Sequence, residues 1–146
     1  MYILDTCILR YYLTQPQNYP YMTAQIDRAD WQHLLCLTIV NAQELIAWRL
    51  HDIKDRPDQR QGVLLQLYGR LSEVINIIKR FEVLPINEAA YERFLALAHL
   101  QTAIGTRDRR IASIALAHDA TVVTNNEQDF RLVPGLRVEN WARTTT

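Results

Sequence analysis

The chain has 146 residues, and its 16 Lys and Arg balance 16 Asp and Glu to a formal net charge of zero. That balance excludes bulk basicity as a way of holding nucleic acid and leaves only local placement of charge. With 49% apolar residues and few Gly and Pro, one folded domain over residues 1–146 with a real core is expected, not a disordered chain.

Cys7 and Cys36 offer neither metal-ligand spacing nor a disulfide framework and suit a reducing cytoplasm. The opening MYILDT has an acid at position 5 and no basic n-region, so no signal peptide is expected. No apolar run is long enough for a membrane span.

Tyr2-Ile3-Leu4 reads as a very short strand with Asp5 and Thr6 at its carboxyl end. A short helix over Cys7–Leu13, a loop over Gln15–Tyr21 and a polar helix over Met22–Asp30, anchored by Ile26, come next. The continuous apolar run Leu34–Val40 suits a strand covered on both faces, as in a parallel sheet. Asn41 ends it and can cap a helix running from Ala42 to about His51. A charged connector, Asp52–Arg60, precedes a long amphipathic helix over Gly62–Lys79. Leu64, Leu65, Leu67, Leu71, Val74, Ile75 and Ile78 form its apolar stripe, wide enough for part of it to face a partner. A strand over Phe81–Ile86 follows. Asn87 then caps a helix whose inner side carries Ala90, Tyr91, Phe94, Leu95, Leu97 and Ala98.

The stretch Ile104–Asn126 reads as loop, helix, short loop and buried strand. Thr106 is placed to cap the helix, Asp108 lies in its first turn, and Ile111, Ile114, Ala115 and Ala117 or His118 recur at helical spacing. Thr121, Val122 and Val123 form the strand. Pro134-Gly135 makes a turn before a last strand over Leu136–Trp141. This alternation argues for an α/β fold with a mostly parallel central sheet of four to five strands and helices on both faces. Ligands of such sheets sit outside the carboxyl ends of the strands, where strand order reverses.

The polar residues expected at that edge are Asp5, Glu44, Asp108, Asn125, Asn126 and Asp129. Clustered carboxylates repel one another, and a hard divalent cation such as Mg²⁺ or Mn²⁺ relieves the repulsion. A cation held this way, with open water positions, serves phosphodiester hydrolysis. Each residue also has a plainer reading. Asp108 can simply start its helix. Glu44, three residues after Asn41, can close a capping box. Asn125 and Asn126 can be turn residues, and Asp129 a surface acid beside Arg131. Asp5 has no evident capping or surface task.

Four segments carry a family resemblance: MYILDT, TIVNAQEL, IGTRDRRIASIALAHDATVVTNN and DFRLVPGLRVENW. Together, in this order, they resemble the PIN-domain family, and closely the VapC toxins of bacterial toxin–antitoxin pairs. The resemblance implies a three-layer α/β/α fold and a metal-dependent ribonuclease using Mg²⁺, with Mn²⁺ as a substitute. Asp5 and Asp108 match its metal-binding positions and Glu44 its third acid. The fourth falls on Asn126, with Asp129 nearby. Thr6 and Thr124 match positions where a hydroxyl supports the site. The chain departs from the family at Cys7, where Asn is usual, and at Arg109 and Arg110, where many members have apolar or small residues. A cognate antitoxin and a homodimer are implied as partners, beside the RNA substrate.

The mechanism expected is attack by a metal-activated water, with Glu44 able to take its proton. Arg107, Arg109 and Arg110 are candidates to grip RNA phosphates, and Tyr11, Tyr12 and Trp48 to stack on bases; solvated arginines and core aromatics are the alternatives. A PIN-like module acting only by RNA or protein binding is a second functional reading, favoured by Asn126 and Cys7. A phosphatase with an aspartyl nucleophile ranks last, because Cys7 stands where its second acid belongs.

Overall fold

The computed structural model describes residues 1–54 and 60–143. Residues 55–59 of the expected charged connector lie outside that range. Five strands, β1 (Tyr2–Leu4), β2 (Leu35–Thr38), β3 (Glu82–Leu84), β4 (Thr121–Val123) and β5 (Arg137–Glu139), form one sheet. Its order is β3-β2-β1-β4-β5 and every pair is parallel. The chain steps outward from β1 to β3, then returns to the other side of β1 with β4. Strand order therefore reverses at β1, and the crevice this opens lies between the ends of β1 and β4.

Side-chain alternation splits the core in two. Ile3, Cys36 and Val122 point to one face and pack with α5 (Glu88–Ala96), α6 (Thr106–Ala117) and α7 (Glu127–Phe130). Leu4, Leu35, Leu37 and Val123 point to the other. There they meet α1 (Thr6–Thr14), α2 (Pro20–Asp27), α3 (Ile39–Lys54) and α4 (Gln61–Ile78). All seven of these strand side chains are at most 1% exposed, which is why the strands read as unbroken apolar runs. The expected three-layer architecture is the one found. Among the described residues no helix is long and apolar enough to cross a membrane.

Several local expectations are corrected. Thr106 does not cap α6; Gly105 holds the cap position with no side-chain bond, and Thr106 is the first helical residue. Asn87 does cap α5, accepting from the Ala90 N–H at 2.9 Å. Tyr91 and Leu95 turn outward, 55% and 53% exposed, because only the Ala90 and Leu97 side of that helix reaches the sheet. On α4 the buried line is Leu67, Val74 and Ile77, while Leu64, Leu65, Tyr68 and Ile75 face out. Ile77, absent from the expected stripe, takes the place assigned to Ile78. The short α7 falls in a stretch for which no element was expected. Gly135 occupies the turn with φ +78°, a conformation that favours glycine.

Candidate active site at the sheet edge

Asp5 ends β1 and is also the N-cap of α1, so it does have a capping task. It is only 7% exposed. Oδ1 accepts from the Thr6 N–H at 2.7 Å, and Oδ2 from the Thr124 hydroxyl at 2.7 Å and the Cys7 thiol at 3.3 Å. Burial, the largest influence, raises its pKa, opposed by the Thr124 and Cys7 hydrogen bonds. The Cys7 thiol is itself pushed up to about 12 by burial and by the Asp5 charge, and so stays protonated as a donor. Thr124, fully buried at the end of β4, also accepts from the Asn126 N–H at 2.9 Å. One hydroxyl thereby ties the two strand ends of the crevice together.

Glu44 comes from α3. It closes no capping box with Asn41, because that motif sits one turn earlier. Thr38 Oγ1 accepts from the Asn41 N–H at 3.1 Å, while Asn41 Oδ1 accepts from the Thr38 N–H at 3.0 Å. Asn41 is fully buried, and its amide donates to Thr6 Oγ1 at 3.2 Å. This locks α3 against α1 and frees Glu44 for the cleft. Glu44 Oε2 accepts from the Thr6 hydroxyl at 2.5 Å, and Oε1 pairs with Arg107 at 3.3 Å. The sequence reading missed Asn41 as a site residue; a Thr three residues before an Asn at the end of an apolar run, able to form a reciprocal cap, was the available signal.

Asp108, in the first turn of α6, has its carboxyl pushed up to about 6. Burial is the main cause, followed by the charges of Asp5, Asp129 and Glu44. Asp5, Glu44 and Asp129, from three other elements, are thus each within electrostatic reach of Asp108. Asn126 mediates among them: its amide donates to Asp129 at 2.9 Å and to Asp108 at 3.2 Å. Asp129 is not paired with Arg131, whose partner is Glu127 at 2.7 Å. Asn125 turns away to the Tyr11 hydroxyl and to Asn140.

The three arginines of α6 part company. Arg107 stands at the rim, 72% exposed, on Glu44. Arg110 is exposed. Arg109 is 7% exposed, with its guanidinium 4.9 Å from the Phe94 ring. It is therefore a packing residue and not a phosphate contact, because helical spacing turns it inward while Arg107 and Arg110 point out.

Among the described residues no three His, Cys, Asp or Glu side chains close round one point. The donors are all oxygen, spread over an open edge. Such a set suits a hard cation that keeps much of its own water, as Mg²⁺ does, and not the nitrogen and sulfur preference of zinc.

Known proteins resemble this chain in sequence and in fold. "Ribonuclease VapC2" of Rickettsia felis is 53% identical over 38 residues, covering 26% of this chain and 28% of that protein. The "tRNA(fMet)-specific endonuclease VapC" of Salmonella typhimurium is 36% identical over 75 residues, 49% of this chain and 57% of that one. The matches thus span less than two thirds of either relative. The DNA-bound VapBC of Salmonella typhimurium superposes with a TM-score of 0.70 at 25% identity, covering 96% of this chain and 97% of that one. The PIN-domain family model matches residues 2–136, all four acids and both strand ends included. On that match the chain belongs to the PIN-domain family, and its likeness within it is to VapC proteins.

Proposed function

We propose that the chain is a Mg²⁺-dependent endoribonuclease of the VapC toxin type, acting in the cytoplasm and neutralised by a cognate antitoxin. The observation that carries this reading is the Asp108 carboxyl raised to about 6 beside Asp5, Glu44 and Asp129. Acids that raise one another's pKa at a strand-order reversal are relieved by a cation.

Asp5 and Asp108 would hold Mg²⁺ or Mn²⁺, with Glu44 joining directly or through water. When bound, the ion lowers the pKa of a water and offsets charge developing on the phosphate. Thr124, Cys7 and the Thr6 N–H fix the Asp5 carboxylate. Thr6 and Arg107 fix the two oxygens of Glu44, the group best placed to accept a proton from the attacking water. Asn126 keeps Asp108 and Asp129 from separating. Arg107 at the rim can meet a phosphate once it leaves Glu44. The exposed Leu50, Leu64, Leu65 and Tyr68 of α3 and α4 support a surface covered by an antitoxin or a second copy of the chain.

A second reading, a PIN module that only binds, draws on the amide of Asn126 in place of a fourth acid and on the weak thiol donor of Cys7. Incubating tRNA and rRNA with the purified chain separates the two. The enzyme reading expects cleavage with Mg²⁺ that is abolished by EDTA and by Asp5→Asn. Intact RNA under all conditions rejects it in favour of the binding module.

A further inference from the structure

We infer that Arg10, braced on Trp48, is a phosphate clamp for the RNA strand, one helical turn along the α1–α3 seam from Glu44. The inference rests on the ribonuclease reading above and assigns part of the substrate path.

Thr6 and Arg10 are four residues apart on α1, and Glu44 and Trp48 are four apart on α3, so each pair shares a helix face. Thr6 bonds Glu44, and one turn on, roughly 6 Å along the helices, Arg10 lies over Trp48 with its guanidinium 4.6 Å from the ring centre. A cleft of 410 Å³ spans both pairs, with Glu44 and Thr6 beside Arg10 and Trp48 and with Arg107 also lining it. A second cleft of 440 Å³ shares Arg10 and Trp48 and runs on past Cys7 and Tyr11 to Thr14. The two clefts therefore run on from Glu44 outward along α1.

Arg10 differs from the other arginines of this region. Arg49 and Arg107 are paired with Asp52 and Glu44. Arg10 is exposed and has no carboxylate partner among the described residues; what holds it is the indole. The indole is itself fixed, because the buried Arg49 lies over the same ring at 3.6 Å while paired to Asp52 at 3.3 Å. A guanidinium lying on an aromatic ring keeps its in-plane N–H fork free and loses little freedom on gripping a phosphate. In a chain of zero net charge, a pre-set cation beside the acids is what makes a polyanion tolerable there. Trp48 is the positioning residue, acting through Arg10.

Steady-state cleavage of a single-stranded oligoribonucleotide with Mg²⁺ tests this. Arg10→Ala is expected to lower kcat/KM by about tenfold, with the loss in KM. It should also flatten the dependence of log(kcat/KM) on log[salt] by about 0.7, the value of one phosphate contact on a single strand. Arg10→Lys should recover only part of the loss. Trp48→Leu should match Arg10→Ala and add nothing to it in the double variant, whereas Trp48→Phe retains most of the activity. Arg93→Ala, which removes the same charge from α5, should leave kcat/KM and its salt dependence as in the wild type. If the wild type cleaves and Arg10→Ala equals it, the clamp is wrong and the ribonuclease reading stands. Equal losses in Arg10→Ala and Arg93→Ala reduce the effect to bulk charge and overturn the clamp. Unchanged cleavage with weakened antitoxin capture reassigns the cleft to a protein partner. Failure of the wild type to cleave removes the clamp together with the reading beneath it.

Discussion

Replacing Asp108 by Asn is expected to stabilise the metal-free protein at neutral pH while removing its activity. The folded-state pKa of Asp108 is about 6 against an ordinary 3.8. Well below pH 3.8 the group is neutral in both folded and unfolded chains and costs nothing. As pH rises towards 6 the unfolded chain ionises first, so folding stability falls, and above about pH 7 the whole penalty is present. A shift of this size corresponds to about 3 kcal/mol; Asp108 is partly exposed, and solvent screening reduces this to about 1–2 kcal/mol. Asn keeps an oxygen that can accept from the Asn126 amide, so the contact at 3.2 Å need not be lost. For a chain of this length the gain is worth about 3–7 °C in Tm. Thermal melts of both proteins in EDTA between pH 4 and 8 provide the assay. The difference should be small at pH 4 and complete by pH 7, and a given Mg²⁺ concentration should raise the Tm of the wild type more than that of the variant. A variant no more stable than wild type at pH 7, or equally stabilised at pH 4, refutes the reasoning.

Three further substitutions probe separate parts of the site. Thr124→Val removes the 2.7 Å bond to the buried Asp5 carboxylate; at pH 7 a loss of about 1.5–3 kcal/mol in urea unfolding is expected, together with slower cleavage. Arg109→Met exchanges a buried guanidinium whose Nε has no hydrogen-bond partner for a side chain that can pack on Phe94. It should leave RNA cleavage unchanged and cost less than about 1 kcal/mol or none, since its burial is by packing and not by pairing. Asn126→Asp supplies a fourth acid and takes away the amide that bridges Asp108 and Asp129. Calorimetry should find Mn²⁺ bound several-fold more tightly, and melts in EDTA should show a lower Tm than wild type.

The parts of this fold that were legible in the sequence are those set by burial. Tyr2–Leu4, Leu35–Thr38 and Thr121–Val123 are apolar but for Thr38 and Thr121 because both faces of the sheet are covered, and their order fixed which edge of the sheet carries Asp5 and Thr124. Less legible were decisions taken between neighbouring helical positions. The choice of Thr38 over Asn41 as cap of α3 turns on one pair of reciprocal hydrogen bonds, and it decides whether Glu44 caps a helix or faces the cleft. Arg107, Arg109 and Arg110 look alike as letters, yet a turn of 100° per residue sends one of them into the core. On α4, apolar composition overstated the buried stripe, since outward-facing Leu and Ile look the same in a sequence as buried ones. The dual role of Asp5, cap and buried carboxylate, was hidden because the helix was expected to start at Cys7, one residue late, which left Asp5 outside the cap position.

The central claim is that Asp5, Glu44 and Asp108 share one cation at the end of β1. Titrating Mn²⁺ into the metal-free protein in a calorimeter, beside Asp5→Asn and Asp108→Asn, tests it most directly. A saturable site in the wild type, weakened at least about tenfold in each variant, is the expected result. Binding that is absent, or that is as strong in both variants as in the wild type, contradicts it.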